Sequence, residues 1–520
     1  EGTSTGINGT VPGPLVRLRE GDEVALNVTN ALMDTEHASI HWHGILVPFR
    51  MDGVPGVNFN GIQPGETYEY AYRVKQAGTY WYHSHSFLQE QSGTYGPLII
   101  DPKDREPFSY DREYVLVLSD WVFQDPETIF RNINLVGHYY NFQRRTVWEF
   151  FRDVSERGLK QTTADRVAWG KMRMSPVDLL DVTGAVYTYL MNGRSPAMNW
   201  TALFDPGETI RLRVINASAM TNFDVRIPGL NLTVVQADGK NVRPVEVHEF
   251  RIGVAETYDV LVRPREDKPF TIFAESLDRS GYARGTLAPE PGLEAAVPAL
   301  RPRPVRTLED IGMGMMDDKI FGGGMDHGGM EHQKHTMKHD PDLPGPNKPQ
   351  PFKPEKGNSN VAMVINNPKI RLDEPGIGLG EDGWRVLTYQ DLVSVEPQIY
   401  QEQAEREMTI NITANMERYM FSFDGKKFTE HPGPYLFKHN ERLRLFLVNH
   451  TMMEHPIHLH GMWMQLENGA NALPFKHTIL VKPGEYLSVL ITPIEKGDWA
   501  FHCHLLYHME AGMFQVVRVA

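Results

Sequence analysis

Cys503 is the single cysteine in a chain of 520 residues, and it stands between two histidines in HCHLLYHMEAGM, residues 502–513. Ten of the 21 histidines fall in four short clusters. These are His41 and His43 in HWHG, His83 and His85 in HSH, His455, His458 and His460 in HPIHLHG, and His502, His504 and His508 around the cysteine. Imidazole and thiolate are donors for soft and borderline metals, which points to copper. One thiolate, two histidines and a distant, weakly held methionine make the trigonal set of a blue copper site. Cys503, His455, His508 and Met513 supply that set. The other eight histidines suffice for three more coppers, held by three, three and two imidazoles. A nucleophilic thiol would need an activating base and an oxyanion site. Flanking histidines that point away from the sulfur supply no such base.

Strands must position these residues. Residues two apart in a strand face the same way, and residues an odd number apart face oppositely. His41/His43, His83/His85, His458/His460 and His502/His504 are therefore four pairs, each aimed at one face. Eight imidazoles can converge on one place. Cys503 and His455 have the opposite parity and face a second site. The backbone bonds Cys503 to both His502 and His504, so it joins the two sites over a distance on the order of 10 Å, at ~3.3 Å per residue.

Three segments repeat: GDEVALNVTN (Gly21–Asn30), GETIRLRVIN (Gly207–Asn216) and NERLRLFLVN (Asn440–Asn449). Each has a turn residue, alternating apolar positions and a closing Asn, the period of a half-buried strand. PGETYEYAYRVKQAGTYWYHSH (64–85) and PGEYLSVLITPIEKGDWAFHCH (483–504) also correspond, and the middle copy carries Phe273 and Glu275 where these carry histidines. The expectation is an all-β chain of three related β-sandwich domains, 1–107, 108–297 and 361–520. Apolar spacing of three and four predicts a helical insertion at about 125–169. Residues 298–360, rich in Pro, Met and His, read as a linker or loop.

A chain of this length exceeds a single core. The net charge of −14 argues against nucleic acid or an anionic membrane as a partner. One cysteine allows no internal disulfide, and no apolar run approaches a membrane span. The chain begins at Glu1 without Met, so a removed export signal is expected; a monomer is expected as well.

HWHGILVPFRMDGVPG, TYWYHSH, HPIHLHGMW and HCHLLYHMEAGM, with YYNFQRRTVWEFFRDVS and MNGRSPAMNW, resemble the motifs of the multicopper oxidases. The likeness is to the bacterial periplasmic copper-resistance oxidases of the CopA/PcoA type and covers nearly the whole chain. It implies three cupredoxin domains, four coppers, O2 as acceptor, a periplasmic location, and a trinuclear cluster between the first and third domains. By this resemblance His41 and His458 hold the type 2 copper. His43, His83 and His504 hold one type 3 copper, and His85, His460 and His502 the other. His455, Cys503, His508 and axial Met513 match the type 1 motif. Asp52 matches a proton-delivering acid. Some relatives carry an acid directly after the residue matching His508. Here Met509 stands there and Glu510 follows, which leaves Glu510 as the nearby acid.

The reductant is read from residues 313–340, where Met313, Met315, Met316, Met325, Met330 and Met337 mingle with His327, His332, His335 and His339. Thioethers suit Cu(I), and methionine in a polar, glycine-rich stretch has no core to fill. Met172, Met174, Met462 and Met464 are further candidates beside the type 1 site. The leading expectation is oxidation of Cu(I) to Cu(II). The alternatives are a laccase acting on phenols or aromatic amines, and a copper-sequestering protein.

Overall fold

The computed structural model describes residues 4–32, 36–313, 348–398 and 403–520. Among these the chain is mostly β, as the alternating segments predict, and forms six sheets. First come a four-stranded sheet, ordered Val16–Arg19, Tyr95–Asp101, Gly78–His83, His41–His43, and a ribbon of Glu23–Thr29 with Thr67–Arg73. A six-stranded and a five-stranded sheet follow within residues 112–288, and a second such pair within residues 406–519.

The repeated asparagines explain why the three groups resemble one another. Asn216 and Asn449 each end a strand, Asn30 directly follows one, and each side chain is buried. Their Nδ2 groups donate to the carbonyls of Ile62, Ile252 and Val481, one cross-strand partner per copy. Their Oδ1 atoms accept from the backbone N–H two residues on, at Leu32, Ser218 and Thr451. Their own N–H groups donate to Glu66, Glu256 and Glu485 in the matching turns. A short amide side chain that satisfies a strand end and a turn together is hard to replace. In the middle copy Glu275, at a histidine position, accepts instead from Arg226 and from the N–H of Arg301.

Helices Pro126–Leu135, Val147–Arg157 and Leu159–Met172 occupy the stretch of helical spacing. Asp125 caps the first through the N–H groups of Glu127 and Thr128, and Thr146 with Glu149 forms a capping box on the second. Gly158, at φ +82, ends the second helix and admits the third.

Paired buried charges join the sheet groups. Arg213 donates to Thr79 and Asp259, and Arg251 lies between Asp224 and Glu454. Lys476 contacts Asp238 and Glu256. Such charges persist inside a protein only when so paired.

Candidate metal centre

The histidine pairs lie on neighbouring strands in fixed register. His41–His43 runs antiparallel to Gly78–His83, with His41 opposite His83. His455–Leu459 runs antiparallel to Gly497–Cys503, with His458 opposite His502 and Ile457 opposite Cys503. The first and last sheet groups meet here. His41 stacks on His460 and His43 on His458, both at 3.9 Å between ring centroids. Trp42, of opposite parity, packs into the first core, and Cys503 into the main one.

Potential ligand atoms within 4.8 Å of one another group as His41, His458 and His460; His43, His83 and His504; and His85, His460 and His502. Most of these rings are anchored through Nδ1. His41 donates to the Asp52 carbonyl at 2.7 Å, His458 to the His477 carbonyl at 2.7 Å, and His502 to the Cys503 carbonyl at 3.0 Å. His460 meets the Asp52 carboxylate at 2.9 Å and His83 the Glu90 carboxylate at 2.7 Å. The opposite edge, Nε2, then faces inward. Among the buried nitrogens without a hydrogen-bond partner are Nε2 of His41, His43, His83, His458 and His504. The Nε2 atoms of His85 and His460 lie 3.3 and 3.0 Å from that of His502.

Burial, then the neighbouring imidazoles, holds His43, His83, His85, His458, His460 and His504 well below the usual histidine range. Burial takes His502 down to about 3. Neutral rings with anchored Nδ1–H groups and bare, convergent Nε2 lone pairs are the arrangement a metal ligand requires. Left without a metal they would be buried acceptors with nothing to accept. An all-imidazole donor set fits copper.

The second site lies behind this one. Sγ of Cys503 is 3.5 Å from Nδ1 of His455 and 4.0 Å from Nδ1 of His508, and the two nitrogens are 3.4 Å apart. The circumradius of that triangle is about 2.1 Å, within the roughly 2.0–2.3 Å of metal–nitrogen and metal–sulfur bonds. Here Nε2 is the anchored edge. That of His455 meets Thr451 at 2.8 Å, and that of His508 meets the Asp181 carboxylate at 2.6 Å. Phe421 stacks on His508 at 3.7 Å. Met513 is fully buried, and its carbonyl accepts from the Cys503 N–H. Burial raises the Cys503 thiol above its ordinary value, so a free thiolate is disfavoured there and a bound metal is what would stabilise it.

Asp52, also bonded to Asn58, touches both His41 and His460. Glu510 ends the short helix Leu506–Glu510, and burial pushes its carboxyl up to about 7. Met462 and Met464 lie in the main core. Met172, Met174 and Met313 gather with Met416, Met452 and Met453 around Trp169. Met315, Met316, Met325, His327, Met330, His332, His335, Met337 and His339 lie outside the described residues. A cavity of about 410 Å³ is lined in part by Met174, Met416, Met452, His138 and Asp178. Burial pushes Asp178 and Asp181 each up to about 7, and their mutual repulsion adds to the rise at Asp178.

Three residues at the site escape sequence reasoning. Glu90 follows the HSH motif in a loop without periodicity, Asp181 arrives from the middle of the chain, and His477 has no histidine two positions away. His477 is nevertheless buried, 4.8 Å from the His43 ring, with Nε2 unpartnered. Nothing in the sequence marks it; it is brought in by the strand Thr478–Val481, which pairs with His455–Leu459.

Family models described as multicopper oxidase match residues 1–105, 148–293 and 401–520. Copper resistance protein A of Escherichia coli is 51% identical over 99% of this chain and 89% of its own length. Copper resistance protein A of Pseudomonas syringae pv. tomato is 49% identical over the same shares. In fold, the chain is similar to a laccase from Botrytis aclada, with a TM-score of 0.61, 20% identity and coverage of 98% and 83%. It is likewise similar to a multicopper oxidase from Campylobacter jejuni, with a TM-score of 0.59, 19% identity and coverage of 98% and 86%. With two convergent donor sets suited to copper and half of its residues shared across nearly its full length, this chain belongs to the multicopper oxidase family.

Proposed function

We propose that the protein is a copper-resistance oxidase that takes electrons from Cu(I). Four Cu(I), one O2 and four protons give four Cu(II) and two waters. One copper would be held by His455, Cys503, His508 and Met513, and three by the eight other histidines in the groups expected from the family motifs. Those coppers would accept electrons singly from the reductant and deliver four to O2.

The observation that carries the choice of reductant is the methionine-lined cavity. Met174, Met416 and Met452 offer thioethers, and His138 and Asp178 add harder donors. Methionines also fill irregular core gaps, but three beside an open cavity with a buried carboxylate form a donor set for Cu(I). Asp178 is three residues from Asp181, whose carboxylate holds the His508 edge. Tyr419 donates to the same Asp181 oxygen at 3.0 Å. Asp181 thus fixes His508 with Nδ1 toward Cys503, and Cys503 leads through backbone to His502 and His504. In this reading Asp52, in contact with His41 and His460, would serve proton delivery, and Glu90 would orient His83. A periplasmic site of action fits this reading. Among the described residues no helix is long and apolar enough to cross a membrane.

The test is O2 uptake by copper-loaded protein given Cu(I) or a phenol. Met174→Leu with Met416→Leu is expected to raise KM for Cu(I) at least tenfold, with phenol oxidation and the blue absorption unchanged. Leu for Met conserves volume and costs little stability. Equal losses on both reductants would refute the Cu(I) site, and turnover of the phenol alone would establish the laccase reading.

A further inference from the structure

The helices beside the cavity carry an unusual surface. Of the 22 large hydrophobic side chains exposed among the described residues, nine lie between Leu135 and Val167. Phe151, four residues after Val147 and three after Trp148, shares one side of the helix Val147–Arg157 with them, and Val147, Trp148 and Phe151 are 75%, 81% and 61% exposed. Phe142 before that helix and Leu159 after it are also exposed. The opposite face is the one that packs, with Asp153 buried and bonded to Arg166 of the next helix. Residues 126–173 hold nine Arg and Lys against five Asp and Glu, a net +4 in a chain of −14.

We propose that this helical segment docks on the surface of an anionic lipid bilayer. An interfacial helix presents aromatic and aliphatic side chains on one face with basic residues beside them, and tryptophan favours the headgroup region. Arg144, Arg152, Arg157 and Lys160 supply exposed positive charge in the same segment. The chain's overall negative charge, which at the sequence level disfavours such a surface, acts weakly beyond the Debye length of ~8 Å, so the segment's own charge decides a close approach. Leu135, Val136, His138 and Arg144, from this segment, also line the methionine cavity. Docking would hold that cavity, the proposed entry point of Cu(I), near the bilayer. That consequence rests on the Cu(I) reading, whereas the docking does not.

The experiment is co-sedimentation of the full-length copper-loaded protein with vesicles of phosphatidylcholine alone or mixed with phosphatidylglycerol. The bound fraction is expected to be at least tenfold higher on the anionic vesicles and to fall with added salt. Trp148→Glu with Phe151→Glu should remove that binding, as should Arg152→Glu with Lys160→Glu, with the blue absorption kept in both. Leu436→Glu, equally exposed outside the helices, should leave it intact. Equal binding to both vesicle types, or binding that survives both helix variants, overturns the proposal. So does a wild-type protein that ignores vesicles and self-associates in sedimentation velocity until Trp148 and Phe151 are replaced, because the face is then a protein interface. Since sedimentation measures no turnover, failure of the Cu(I) reading leaves its result untouched.

Discussion

Glu90 and His450 show how single residues divide the work of the site from that of the core. Glu90 is buried, held well above the usual carboxylate range by that burial, and its one close partner is Nδ1 of His83. A carboxylate behind a ligand histidine fixes its tautomer, and losing such a partner typically weakens metal binding 10–100-fold, as an order of magnitude. Glu90→Gln is therefore expected to lower copper content at the histidine cluster while the blue absorption of the Cys503 site persists. Equal loss at both sites in metal analysis and absorption would contradict this. His450, by contrast, is buried and needed as a neutral ring: Nδ1 accepts from the Ile365 N–H and Nε2 donates to Asn411. Burial takes it down to about 4. At pH above 6.5 the ring is neutral folded or unfolded. Below 6.5 the unfolded chain gains the proton first, so stability declines until the folded ring titrates near 4, by up to about 3 kcal/mol. Chemical denaturation should find a shallower decline in His450→Gln than in the wild type across that window, and identical slopes would exclude this role.

At the scale of elements, strand parity was legible and turns were not. Four H-x-H pairs announce which imidazoles share a face, because a period of two leaves no other arrangement, and the three asparagine-ended strands announce the repeat. Nothing periodic marks Asp181 or Glu90, whose approach depends on how sheets pack and loops return. The turn after His41–His43 shows what such a loop must do. Gly53 has φ +83, and a Cβ there would lie 1.9 Å from the Ile40 carbonyl oxygen, directly before His41. Gly56, three residues on, has φ +78 with nothing within 4 Å. Gly56→Ala is thus expected to cost about 1 kcal/mol of backbone strain alone. Gly53→Ala adds a backbone collision and should cost at least about 2 kcal/mol more, with copper lost from the histidine cluster. Thermal unfolding and copper analysis of the two variants check the contrast, and equal behaviour would show that the turn yields freely.

At the scale of the whole molecule, the cluster draws ligands from residues 41–85 and 458–504, so the metal ties the first sheet group to the last. The middle group, with Glu275 in a histidine position, contributes none of these ligands. Without copper, the interface between the outer groups retains stacked neutral rings whose inward nitrogens lack partners, and buried unpaired acceptors destabilise. A ligand that binds only the folded state adds about 4.1 kcal/mol at a thousandfold excess over its Kd. The middle group shares one continuous core with the last, whereas the first has a separate core of its own. Copper removal should therefore act unevenly. In calorimetry, dialysis against a chelator is expected to move one transition, that of the first group, to lower temperature and separate it from a second that stays in place. Restoring copper should merge them again. A single transition that shifts as a whole would mean that the buried charge pairs, rather than the copper, hold the three groups in one cooperative unit.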